Sequence, residues 1–194
     1  MANIARLRNF VLQITRLVED HGADEARMLD EGEKLLRDLV SHDDWLPEEF
    51  AAPAADSYRQ YLLHCDPQER FSVASFVWMP GHRTPIHDHT VWGLVGVMRG
   101  EEQCEEYSTD FKATGTHLVR PGEVDRVSPR IGDVHVVSNP GTTTAVSIHV
   151  YGANIGAVRR HVFDAATGRT KEFVSGYHNR TVPNLWDRSR ETGA

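Results

Sequence analysis

The sequence predicts a mainly β protein, a barrel or sandwich, carrying a helical cap at its N-terminus. Two observations lead there. From about residue 58 onward the chain breaks into short segments rich in β-branched and aromatic residues: FSVASFVWMPG, VWGLVGVMRG, THLVRPGEV, DVHVVSNPG and TAVSIHVYG. Gly and Pro separate them, the spacing expected of many short strands joined by tight turns. Before that point the apolar residues recur at helical intervals instead. At 194 residues, with 40% hydrophobic and 25% charged residues, the chain is long enough for one domain with its own core.

The elements follow in order. Ile4, Leu7, Val11, Ile14 and Val18 fall on one face of a first helix, which Gly22 should stop. Asp24 is placed to cap a second helix that turns Leu29, Leu36 and Leu39 inward. Pro47 can open a short third one. The strand-like segments then run to a last hairpin, DAATGRTKEF, at residues 164–173. A polar tail closes the chain, with Trp186 as its expected anchor. The expected division is a single domain over 1–194: helical cap 1–55, barrel 56–175, tail 176–194.

Composition narrows the function. A net charge of −7 without a basic patch argues against nucleic acid as a partner. No apolar run is long enough to span a membrane, and the first residues lack the apolar region and cleavage site of a signal peptide. The two cysteines, Cys65 and Cys104, form no CxxC pair and read as reduced thiols, which points to a cytoplasmic setting. Eleven histidines are the oddity. In TPIHDHTVWG, His87 and His89 stand two apart, so on a strand they face the same way. Paired imidazoles suit iron, zinc, copper or nickel. The best candidate for a third ligand is His135, in PRIGDVHVVSN. In TAVSIHVYG, Ser147, His149 and Tyr151 share one face of a strand and Val146, Ile148 and Val150 the other. Three polar groups on a buried face must bond to one another, so the row reads as a relay.

GHRTPIHDHTVWGLVGVMRG (residues 81–100) resembles the first motif of the cupins, G-x5-H-x-H-x3-4-E-x6-G, with Gly81, His87, His89 and Gly100 in place. The usual Glu is replaced by Gly93. PRIGDVHVVSN resembles the second motif, P-x-G-x2-H-x3-N, with one extra residue between Pro129 and Gly132. The resemblance implies a cupin-type β-barrel, or jelly roll, with a metal on His87, His89 and His135. A neutral three-histidine set leaves the metal's charge unbalanced and favours an anionic ligand such as a thiolate.

Over about residues 55–165, the three-histidine cupin pattern with the Ser147–His149–Tyr151 row resembles the thiol dioxygenases of the cysteine dioxygenase family. That resemblance implies one Fe(2+) per chain and the addition of both atoms of O2 to a thiol sulfur. Where the cysteine enzymes have Arg in Y-x-R, this chain reads YRQ, with Gln60. It is similar in this to the Gln-type bacterial 3-mercaptopropionate dioxygenases, in which an Arg further along takes the substrate carboxylate. Arg160 fits that role and Arg159 competes for it. Gly93 also replaces the cysteine that in animal members crosslinks to the relay tyrosine, so Tyr151 is expected unmodified. The implied partners are a small thiol carboxylate and O2. Cysteine itself, another thiol acid such as mercaptosuccinate, and a non-catalytic ligand-binding cupin are the alternatives. Monomer and homo-oligomer both stay open.

Overall fold

The computed structural model describes residues 2–188, so the last six residues of the expected tail (189–194) lie outside the described residues. Two helices come first, α1 (Ile4–His21) and α2 (Glu25–Val40), then a short 3-10 turn at Glu48–Phe50. Eleven strands follow: β1 (Arg59–Cys65), β2 (Ser72–Trp78), β3 (Ile86–His87), β4 (Gly93–Arg99), β5 (Glu102–Tyr107) and β6 (Ala113–Val119). The remainder are β7 (Val124–Val127), β8 (His135–Ser138), β9 (Ala145–Tyr151), β10 (Arg160–Asp164) and β11 (Arg169–Phe173).

The helices form where the sequence places them. Asp24 caps α2, accepting from the Arg27 backbone N–H at 3.1 Å. Gly22 does end α1, though not in the left-handed turn that glycine commonly supplies there: its φ is −57°. Its need is steric, since a Cβ at this position would lie 2.6 Å from the Val18 carbonyl oxygen.

The strands make two antiparallel sheets, ordered β1-β2-β9-β4-β7 and β11-β10-β3-β8-β5-β6. Face to face they form a mainly β, cupin-type jelly roll. The outer face of the first sheet carries the helical cap. Leu7, Ile14, Met28 and Leu36 pack there against Val73, Leu94, Ile148 and Val150, all buried. Gly96 lets α2 approach, because a Cβ there would press on Leu36 and Val40 at 3.0 Å. The inner face forms a second cluster, with Phe76, Trp78, Val137 and Tyr151.

The tail is tied down, though not by Trp186, which is 60% exposed. Leu185 is the buried residue, and its carbonyl accepts from the Arg8 guanidinium at 3.1 Å. His178 and Asn179 bond the backbone of Gln60 and Leu62, closing the edge of β1. Cys65 and Cys104 are both free thiols. Among the described residues, no helix is long and apolar enough to cross a membrane.

Candidate metal centre

Three histidines meet between the sheets. His87 on β3 and His135 on β8 are direct cross-strand partners, so sheet register alone brings their rings together. His89 arrives differently. The expectation that one strand presents both His87 and His89 is not met, because β3 ends at His87. Thr90 has a φ of 61°, which turns the chain just beyond the site. His89 is held from another loop instead. The Asp133 carboxylate accepts from the backbone N–H groups of His89 (3.0 Å) and Thr90 (2.9 Å) and from His89 Nδ1 at 2.9 Å. Between them, Asp88 fastens to His161 on β10, accepting from its backbone N–H at 2.7 Å. The segment is therefore clamped on both sides.

The rings form a triangle with centroids 4.9, 4.8 and 4.8 Å apart. Each Nδ1 is engaged: His87 with the Pro85 carbonyl at 3.0 Å, His89 with Asp133, His135 with Cys104 Sγ at 3.4 Å. The oxygen acceptors at His87 and His89 fix the tautomer that leaves Nε2 free as a donor to a metal. His135 Nε2 is buried and has no partner. Burial, and next the charge of His89, pushes His87 down to about 3. His135 is likewise held well below its usual value, chiefly by desolvation. Convergent imidazole nitrogens are what a transition metal requires, and the three donor atoms lie close enough together to hold one ion. Desolvation works to raise the Asp133 carboxyl, but the His89 hydrogen bond and charge and the two backbone donors outweigh it and keep it low.

The missing acidic ligand has a steric explanation. A Cβ on Gly93 would stand 2.6 Å from the Tyr151 ring and 2.9 Å from Val127. Gly93 pairs directly with Tyr151 across β4 and β9, so the position that would carry a carboxylate is filled by the phenol.

Tyr151 ends a continuous row. Ser147 Oγ and His149 Nε2 are 2.8 Å apart, as are His149 Nδ1 and the Tyr151 hydroxyl. The Trp78 indole N–H donates to Ser147 Oγ at 3.3 Å. The Trp78 bond uses one of the two lone pairs of Ser147 Oγ; with His149 protonated on Nδ1, that N–H donates to the phenol oxygen and the phenol hydrogen is left for the cavity. Phe76 stacks on His149 at 3.9 Å, and Tyr151 lies nearly parallel to His89 at 5.3 Å. Burial raises the Tyr151 pKa, so the phenol stays protonated.

The sequence reading missed the far end of this row. Glu102 on β5 is fully buried beside Ser147 and Trp78, yet neither carboxyl oxygen closes a hydrogen bond. Desolvation pushes its pKa up to about 7; the nearby Ser147 and Trp78 donors only partly offset this. The one hint in the sequence is an acidic residue at an alternate, inward-facing position of a strand, a pattern surface strands also show.

Gln60 and Arg160 reach the same cavity. It measures about 280 Å³ and is walled by Tyr58, Phe76, Trp78, Val162 and Phe173 alongside the histidines and Tyr151. Arg160 is buried, donates to Ser175 Oγ at 2.7 Å, and lies 4.7 Å from the Phe173 ring centroid. Its Nε and the Gln60 Nε2 are both buried without a partner. Their sequence neighbours face away. Arg159 is 72% exposed and pairs with Glu172, and Arg59 pairs with Asp56. Cys104 lies against His135 rather than Tyr151.

Fold and site together define a cupin-type barrel with a three-histidine group able to hold a metal, an arrangement consistent with a metalloenzyme. Solved structures similar to it include a conserved protein with a double-stranded β-helix domain from Klebsiella pneumoniae (16% identity, TM-score 0.47, covering 58% of this chain and 93% of that one). A cupin 2 conserved barrel domain protein from Salinispora arenicola matches at 20% identity and TM-score 0.44, over 58% of this chain and 91% of the other. An oxalate oxidase solved with the substrate analogue glycolate matches at 22% identity and TM-score 0.43, over 52% of this chain and about half (53%) of its own. No family model matches the chain.

Two measurements test the geometry. Replacing His87, His89 or His135 by Ala should each abolish most metal retention at this centre, read by metal analysis after dialysis, because two imidazoles hold a labile divalent ion poorly. Full retention in His135→Ala would move the third ligand elsewhere. The second concerns Glu102. A carboxyl whose folded pKa is about 7, against 4.5 unfolded, keeps its proton in the native state. Its share of stability is therefore intact at low pH and falls as pH rises from about 4.5 to about 7. Glu102→Gln should remove a loss on the order of 3 kcal/mol between pH 5 and 8, at 1.36 kcal/mol per unit. Parallel wild-type and variant curves in denaturant would refute the buried, proton-retaining carboxyl.

Proposed function

We propose that this protein is a non-haem iron thiol dioxygenase of the Gln-type within the cysteine dioxygenase family. The proposed reaction takes a small thiol carboxylate, 3-mercaptopropionate, to 3-sulfinopropionate with O2. One observation carries the substrate class. Two buried donors, Arg160 Nε and Gln60 Nε2, lack partners on the wall of the cavity that also receives the three histidine nitrogens. A buried donor without a partner costs on the order of 1–3 kcal/mol, so such a pair fits a ligand that brings acceptor oxygens. No Asp or Glu lines the cavity among the described residues. An ammonium group would have no counter-charge there, which favours a thiol acid over cysteine.

His87, His89 and His135 would hold the iron. Bound Fe(2+) supplies open coordination positions and the redox activity that joins a thiolate to O2. Both oxygen atoms end on sulfur, and the sulfur gives up the electrons that O2 takes up, so no external reductant is required. The chain's own residues position and exclude. Arg160, braced by Ser175 and Phe173, meets the carboxylate with a charge-assisted hydrogen bond, and Gln60 adds a neutral one. Tyr151 donates its phenol hydrogen into the cavity, oriented by His149 and Ser147. Tyr58, Phe76, Trp78 and Phe173 keep the site dry.

The deciding experiment ranks two arginine variants on two substrates, by oxygen uptake with the iron-loaded enzyme. Arg160→Ala should lower kcat/KM for 3-mercaptopropionate by roughly 30-fold or more, while cysteamine, which has no carboxylate, suffers far less. Arg159→Ala should be mild on both. Equal losses on both substrates would make Arg160 structural, and a wild-type preference for cysteine would overturn the Gln-type reading. The relay has its own measure. Tyr151→Phe should retain iron and fold while losing about ten- to a thousandfold in activity. His149→Ala acts through the same phenol, so the double variant should be less than additive. Full additivity would break the row.

A further inference from the structure

A second group of metal-ligand side chains lies behind His135, on the side away from the catalytic cavity. Cys104 on β5 and His117 on β6 are direct cross-strand partners. Asp125 comes from β7 in the opposite sheet. One donor atom from each lies within 4.8 Å of the others, and His117 Nε2 is already 2.9 Å from Asp125 Oδ2. All but His117 line a second cavity, of about 270 Å³.

Charge points to a cation there. Glu106, Asp125 and Asp133 all face this cavity. Asp133 is committed to His89, and the one arginine in the lining, Arg126, is drawn away to Asp30 and Glu33 on α2. Asp125 accepts from the Arg126 backbone N–H at 3.0 Å, and the basic side chain nearest to it and to Glu106 is the His117 imidazole, with Glu106 Oε1 3.7 Å from Nδ1. That leaves carboxylates, an imidazole and a thiol converging with no fixed positive charge among them.

We propose that Cys104, His117 and Asp125 form a second metal site, for a divalent ion of the zinc type, with Glu106 orienting His117 through its other ring nitrogen. The donor set mixes thiolate, imidazole and carboxylate, which suits zinc better than magnesium or calcium. Tetrahedral zinc sets its donors about 3.3–3.7 Å apart, given bonds of about 2.0–2.3 Å. A carboxylate on the free nitrogen of a ligating histidine is the usual supporting arrangement. Cys104 also touches His135, so the second ion would stand one side chain behind a ligand of the first centre.

The test is a Co(2+) titration of the full-length protein, followed by competition with Zn(2+). The three-histidine centre has no sulfur donor, so only an ion on Cys104 produces a thiolate-to-cobalt charge-transfer band in the near ultraviolet. The wild type should take up a second equivalent with that band, and Zn(2+) should displace it. His117→Gln and Asp125→Asn should lose the second equivalent while the first still binds, and Cys104→Ser should lose the band. Cys65→Ser, the control for the other thiol, should keep it, and so should His89→Ala. Uptake of a single equivalent with no charge-transfer band in the wild type would overturn the site. So would a band that survives Cys104→Ser, or a second equivalent unaffected by both His117→Gln and Asp125→Asn.

Discussion

Strand β9 is buried on both faces, and the structure depends on how that burial is satisfied. Its outward residues, Val146, Ile148 and Val150, disappear under the helical cap. Its inward residues, Ser147, His149 and Tyr151, are as deeply buried but polar. Polar groups survive there only when bonded, and they are bonded to one another in sequence. The row is internal to β9, and it is tied to the flanking strands by Trp78 on β2, whose indole donates to Ser147, and by Gly93 on β4, which leaves room for the Tyr151 ring. β2 and β4 flank it and supply Trp78, Phe76 and Gly93 at the positions that hold or admit the row.

Gly93 shows how a packing demand sets the chemistry. The phenol of Tyr151 occupies the space that a side chain at 93 would need. A barrel that brings this tyrosine to the metal centre cannot also bring an acid from β4. The result is a group of three imidazoles with no carboxylate beside them, able to hold a metal without cancelling its charge. Arg160 and Gln60 bring two unpartnered donors to the same cavity, and no Asp or Glu lines it among the described residues.

Rigidity around the site comes from carboxylates outside it. Asp133 holds His89 and the turn after it, and Asp88 locks the same segment to β10 next to Arg160. The three histidines and Arg160 are therefore mechanically joined. Glu102 is the contrary case, a buried acid that closes no bond and stands at the end of the relay. Its burial costs stability at neutral pH, and such a cost is commonly found near functional sites.

Periodicity in the chain alone determined the helical cap, the strand-rich barrel, and the shared face of Ser147, His149 and Tyr151. Each is a property of one segment, because the direction of a side chain along a strand or helix follows from its own backbone. The tertiary structure decided what depends on two segments at once. Alternation proposed that one strand presents both His87 and His89, whereas Asp133, from a loop 44 residues on, holds the second. Leu185 rather than Trp186 anchors the tail, since burial there is set by the surface of α1 and not by side-chain size. Glu102 meets Ser147, and Cys104 meets His117, only through sheet register and the closure of the barrel. Register is a sum over many cross-strand pairs, and no single strand carries it in its own sequence.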